Sequence, residues 1–224
     1  CKGCARDCPT GIDMAAYKAR VTHERYKGRL RPRNHYALGW LPRWGRLITT
    51  VPGLGSLINA VGSAPGLGRL LRWGAGVDAR RDIPRFANRS ARSRMPAVPA
   101  GRKGRVLVWV DSFSDCFEST SFAAMVQVLV RLGYEPEVLS ENACCGLTWI
   151  STGQLDGARR QLRNAAAVLA PYARDGVPIV GVEPSCTAVW RSDAPELLPD
   201  DANVAALTGR VLTLAEFLAT DPDF

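Results

Sequence analysis

The sequence predicts an α/β protein whose parallel sheet lies in its second half. Three observations carry this. Apolar, β-branched runs of strand length recur after residue 104, at Arg105 to Val110, Glu135 to Leu139 and Val177 to Val182. Amphipathic stretches of helical length, Ser119 to Leu132 and Gln154 to Ala173, separate them, and this alternation implies right-handed crossovers and a parallel sheet. The charge is also divided. Residues 1 to 105 carry 22 Lys and Arg against 5 Asp and Glu, whereas residues 106 to 224 carry 7 against 16, so the net +8 of the whole chain hides two regions of opposite sign.

In chain order, residues 1–30 read as a cysteine loop followed by a helix. Pro9-Thr10-Gly11 makes a turn, and Asp13 can cap a run from Met14 to Arg20. Residues 31–103 form a basic linker rich in Arg, Pro, Gly and Trp, with Trp40, Trp44 and Trp73 at helical spacing beside Arg43, Arg46, Arg69 and Arg72. Its longest uncharged run, Leu47 to Gly68, has the length of a membrane span, but Pro52, Pro65 and five glycines break it into a short apolar helix flanked by turns. The linker is expected to lie on another domain. A membrane surface is the sharper alternative, and nucleic acid ranks last because no recognised binding motif accompanies the charge. Residues 104–224 hold the strands and helices named above, and Val211 to Leu218 adds a further short element, giving a compact Rossmann-like unit. No Gly-x-Gly-x-x-Gly follows the first strand, so a nicotinamide nucleotide is not expected.

Seven cysteines are too few for a disulfide scaffold, and the adjacent Cys144-Cys145 pair fits reduced thiols or metal ligands in a cytoplasmic setting. No signal peptide is visible. Cys1-x-x-Cys4-x-x-x-Cys8-Pro9 matches the last three cysteines of the C-x2-C-x2-C-x3-C-P run that holds [4Fe-4S] clusters. Closely spaced thiolates wrap one cubane, while the proline turns the chain toward a neighbouring cluster. By this reading Cys1 and Cys4 serve one cluster and Cys8 a second, with a further cysteine expected three positions before Cys1. A structural zinc site is disfavoured, because no second Cys-x-x-Cys or His pair lies near and His23 and His35 belong to surface elements. Opening on a cysteine cluster with no lead-in, the chain reads as a slice of a longer protein.

The second cysteine constellation is Cys144-Cys145-Gly146. The loops after the three strands, at Asp111 to Cys116, Cys144 to Gly146 and Glu183 to Cys186, fall at the carboxyl edge of the sheet, where sites form in open parallel sheets. Cys116, Cys144, Cys145 and Cys186 are therefore candidates to converge there, and Gly146 lets the backbone approach whatever the pair faces. The bland alternative is that all four are small buried hydrophobes.

The stretches CKGCARDCPTGIDMAAYKA, CCG, ISTGQLDGARRQL and GVPIVGVEPSC together resemble the C-terminal iron-sulfur region of FAD-linked D-2-hydroxyacid dehydrogenases of the D-lactate and D-2-hydroxyglutarate type. The same cysteine-rich CCG domain occurs in iron-sulfur subunits of glycolate oxidase, and in subunits of anaerobic glycerol-3-phosphate dehydrogenase and of heterodisulfide reductase. The resemblance implies the end of a ferredoxin-type domain at residues 1–30 and the first CCG repeat at 104–224. It also implies an upstream flavin domain, with FAD, that oxidises a 2-hydroxyacid. Electrons would pass through [4Fe-4S] clusters and the cysteine-rich domain to a respiratory acceptor. Apart from the resemblance, the basic linker allows peripheral contact at the inner face of the cell membrane. Cys1, Cys4 and Cys8 match ferredoxin ligands; Cys144, Cys145 and Gly146 match the CCG signature; no side chain is assigned an acid or base role. Two departures stand out. The motif ends in Cys-x-x-Cys, whereas Val189 follows Cys186 at that spacing, and Ser112 rather than Cys116 sits nearer the place of the leading cysteine. Alternatives are an iron-sulfur subunit of the glycolate oxidase or heterodisulfide reductase type, and a membrane-docking scaffold with structural cysteines.

Overall fold

The computed structural model describes every residue except 1–4, 6 and 96. Cys1 and Cys4 lie outside the described residues. The chain divides into two compact units, one reaching to Ser90 and including Leu147–Ala158, the other formed by Ala91–Gly146 and Arg159–Phe224.

The first unit is helical. Helix α1 (Met14–Arg25) starts where Asp13 accepts hydrogen bonds from the Ala15 and Ala16 amides, satisfying two otherwise orphaned donors. It is followed by α2 (Arg33–Ala37), α3 (Leu41–Thr50), α4 (Leu54–Ser63) and α5 (Pro65–Ala75). Prolines in the first turns of α3 and α5 remove amides that would have no partner there. Helices α4 and α5 meet backbone to backbone: a Cβ on Gly68 would lie 2.3 Å from the Gly62 carbonyl oxygen, so a side chain there would force them apart. No helix among the described residues is long and apolar enough to cross a membrane. Residues 147–158 join this unit through polar contacts. The Arg31 guanidinium donates to the Thr152 and Gly153 carbonyls, both at 3.0 Å. Gln154 accepts from Trp40 Nε1 at 2.8 Å and donates to the His35 carbonyl at 2.7 Å. His23 and His35, expected on the surface, are half-buried instead. The His35 ring meets Tyr26 edge-on with centroids 5.3 Å apart, and burial, then the charges of Arg31 and Lys18, hold its pKa below the ordinary imidazole value.

The second unit is a four-stranded, all-parallel sheet in the order β2-β1-β3-β4, formed by β1 (Arg105–Trp109), β2 (Glu135–Val138), β3 (Ile179–Gly181) and β4 (Val211–Thr213). The central β1 is buried along both faces from Val106 onward, as expected for a parallel strand between helical layers. Helix α6 (Ser112–Cys116) follows β1, and α7 (Thr120–Arg131) leads into β2. On α7, Phe122, Met125, Val126 and Leu129 recur at i, i+3, i+4 and i+7 and pack with Val106, Val108, Val180 and Phe217 into one core. Between β2 and β3 the chain passes through α8 (Leu147–Ser151), which belongs to the helical unit, and the long α9 (Leu155–Arg174), whose Ala158, Leu162, Ala165, Ala166, Leu169 and Ala173 form a continuous buried stripe. Beyond β3 lie α10 (Pro184–Val189), α11 (Asp193–Leu197) and α12 (Ala202–Leu207), and α13 (Leu214–Leu218) follows β4. The segment Val211 to Leu218, expected as one element, is thus a strand running into a helix. Thr213 and Glu216 form a reciprocal capping box that turns the backbone at that point.

Candidate functional site

Three segments reach the carboxyl edge of the sheet, and each is anchored locally. After β1, Asp111 caps α6: one carboxylate oxygen accepts from the Phe113 and Ser114 amides at 2.8 and 3.1 Å, and the other accepts from the Ser114 hydroxyl at 2.6 Å. After β2, the chain runs to Cys144 under a tether from the core, where Trp109 Nε1 donates to the Ala143 carbonyl at 2.8 Å. The turn there needs Gly146, whose φ of 73° places it in the left-handed region. After β3, Glu183 caps α10 by accepting from the Cys186 amide at 2.7 Å. A carboxylate that ends a strand and opens a helix is thus used twice, and it sets the loops that carry the thiols.

These loops bring Cys144, Cys145 and Cys186 together, all buried. The Cys145 side chain hydrogen-bonds with those of both Cys144 and Cys186, and Ser112 reaches the Cys144 sulfur from α6. Cys116 is buried at the far end of α6, so Ser112 is the residue of that helix at the Cys144 sulfur. Electrostatics disfavour the thiolate at Cys144 and at Cys186. The Cys144 pKa is pushed well above the ordinary thiol value by the hydrogen bond with Cys145, then by burial and by the charge Cys145 would carry. For Cys186 the largest single influence, the Cys145 hydrogen bond, lowers the pKa, but burial and the nearby Asp111, Glu183 and Cys144 charges together raise it. Asp111 is itself raised by burial, against the opposing hydrogen bonds of Ser114 and the Phe113 amide. Desolvation thus favours protonated thiols here.

Cys8 has the opposite surroundings. Its sulfur lies 3.1 Å from the Thr10 hydroxyl oxygen, and that contact, followed by the Ile12 and Thr10 amides, lowers its pKa. Such a thiol suits thiolate ligation. The buried trio lacks a full cysteine set for a cluster: Ser112 and Val189 stand at the remaining motif positions, and among the described residues no group of three or more His, Cys, Asp or Glu side chains is placed to hold a metal ion. Of the side chains around the trio, Trp109, Asp111 and Glu183 carried no functional reading in the sequence. The legible trace of the carboxylates was their position, an acidic residue directly between a strand run and a helix start.

A parallel α/β unit that gathers buried thiols at the carboxyl ends of its strands is a cysteine-rich domain of the Rossmann-like class. The chain is 30% identical over 206 residues to D-2-hydroxyglutarate dehydrogenase of Pseudomonas putida, covering 86% of this chain and 20% of that protein. It is 26% identical over 150 residues to a subunit of the anaerobic glycerol-3-phosphate dehydrogenase of Escherichia coli, covering 65% of this chain and 38% of the relative. It is 27% identical over 118 residues to lactate utilization protein A of Bacillus velezensis, covering 51% and 48%. The homologues over most of this chain are therefore dehydrogenases and a dehydrogenase subunit. The chain spans about a fifth of the length of the D-2-hydroxyglutarate dehydrogenases it matches. No family profile and no solved structure matches it.

Proposed function

We propose that the chain is an electron-transfer region of a flavin-linked D-2-hydroxyacid dehydrogenase of the D-lactate or D-2-hydroxyglutarate type, working with a flavin-bearing domain or subunit and a respiratory acceptor in a cytoplasmic setting. The observation that carries this reading is the pairing, in one chain, of a Cys1-Cys4-Cys8-Pro9 cluster run with a CCG thiol group at the edge of a parallel sheet. Cys1 and Cys4 would serve one cluster and Cys8 a second. [4Fe-4S] clusters bound there would supply one-electron chemistry between flavin and acceptor. The contribution of the chain itself is electrostatic and mechanical. Thr10 and the amides after Pro9 stabilise a thiolate at Cys8, while Asp111, Gly146 and Glu183 fix the loops of the second thiol group.

The test is electron paramagnetic resonance of the anaerobically purified full-length protein after dithionite reduction. An iron-sulfur signal that weakens in Cys8→Ser is expected, and the absence of any such signal would sink the proposal. A second reading, an iron-sulfur subunit without a fused flavin domain, is favoured by the similarity to the glycerol-3-phosphate dehydrogenase subunit and to lactate utilization protein A. The coding sequence before Cys1 decides between the two.

A further inference from the structure

We propose that the helical unit docks on an anionic lipid surface through the outer face of α5 and the groove beside it. The face is built by spacing. Leu67, Leu70 and Leu71 fall at i, i+3 and i+4 of α5, and Leu67 is 56% and Leu70 62% exposed. With Trp44 from α3 they line an open groove of about 620 Å³, at whose edge stand Tyr36 and Arg33. Arg33 lies 4.1 Å over the ring of Trp73, itself 64% exposed, so a guanidinium and an indole are presented together. A concave patch of leucine and tryptophan facing water is unfavourable unless something apolar covers it.

Charge identifies the cover. From Arg25 to Val77 the sequence carries nine Lys and Arg and no Asp or Glu. Exposed Arg46 on α3 and Arg69 on α5 belong to the same helices as the apolar face. Basic residues flanking a Leu and Trp face on short helices are the composition of an interfacial, surface-lying segment, with arginine stems lying along acyl chains and their heads among phosphates. None of these helices is long enough to span, so the contact is parallel to the surface. A nucleic acid would satisfy the arginines but leave the leucines in water.

The test uses the 224-residue chain and vesicles of phosphatidylcholine, either alone or mixed with phosphatidylglycerol, in a flotation assay at low and high salt. The chain is expected to float only with the anionic vesicles and to be released by salt, with a blue shift of tryptophan emission as Trp73 leaves water. The double variant Leu67→Ser with Leu70→Ser, at unchanged charge, should partition roughly tenfold more weakly or worse. Arg46→Glu with Arg69→Glu should abolish flotation. Circular dichroism of each variant confirms that exposed positions were changed without unfolding. Three results overturn the proposal: no flotation with anionic vesicles; equal flotation of the leucine variant, which would leave charge alone at work; or a wild-type chain that self-associates without floating and becomes monomeric in the leucine variant, which would make the face a contact between copies.

Discussion

Trp109 and Trp190 offer a matched pair for testing how the CCG loop is held. The two rings meet edge-on with centroids 5.9 Å apart and both are fully buried, yet only Trp109 has a partner for its indole N–H, the Ala143 carbonyl. Among the described residues the Trp190 Nε1 has none. Trp→Phe at either position removes similar volume, for which a cost of about 1–2 kcal/mol is expected. Only Trp109→Phe also strands a buried carbonyl, adding about 1–3 kcal/mol. Trp109→Phe should therefore be the more destabilising by about 2 kcal/mol in urea denaturation followed by far-ultraviolet circular dichroism, with an unchanged slope. Because the lost bond lies directly before Cys144, the loop should also open locally. At about 1.4 kcal/mol per tenfold, a 2 kcal/mol loss corresponds to roughly 30-fold faster alkylation of Cys144 and Cys145, read by mass spectrometry of that peptide. Equal destabilisation by Trp190→Phe, or an unaltered alkylation rate at the CCG pair, would refute the tether.

Three further outcomes follow from the same geometry. Gln154→Ala removes the hydrogen bonds to Trp40 and His35 and should cost the helical unit about 2–4 kcal/mol in denaturant while leaving the sheet unit's transition in place. In the metal-free chain Cys8 should be alkylated by iodoacetamide before the buried Cys116, Cys144, Cys145 and Cys186 and at lower pH than an ordinary thiol, and Thr10→Val should move its rate profile upward in pH; identical profiles would exclude the Thr10 effect. Glu216 is held at a pKa of about 2 by Arg191, then by the Thr213 amide. A carboxylate depressed in the folded state contributes stability that is present above its unfolded pKa of 4.5 and is lost as pH falls toward about 2. Arg191→Gln should flatten that part of the acid limb, modestly because both side chains are more than a third exposed.

Much of the sheet was legible because its signals are local. The run RVLVW could only be buried on both faces, and the α7 spacing of Phe122, Met125 and Leu129 announced one helical stripe. The parallel topology followed from alternation alone, and with it the edge on which Cys144, Cys145 and Cys186 meet. Elements whose ends depend on side-chain caps were harder to read. Asp111 to Cys116 looked like a loop until Asp111 was seen to bond two amides, and the Thr213 and Glu216 pair splits what read as one segment. The histidines were misplaced for a different reason. His35 is half-buried by Tyr26 and by a carbonyl contact with Gln154, 119 positions away, and no local pattern encodes such a partner.

The return of residues 147–158 to the helices before Ser90 makes the first unit discontinuous along the chain. During synthesis, Arg31 and Trp40 must wait for Thr152, Gly153 and Gln154 until 68 more residues after Ser90 have been added to reach Ala158, a delay of roughly 3–14 s at ordinary translation rates. The first two strands are made inside that interval, before the segment that closes the helical unit. The order of completion is therefore interleaved. The two units cannot be exchanged between relatives as simple cassettes, because any single splice between Ser90 and Leu147 separates the helical unit from its own closing segment.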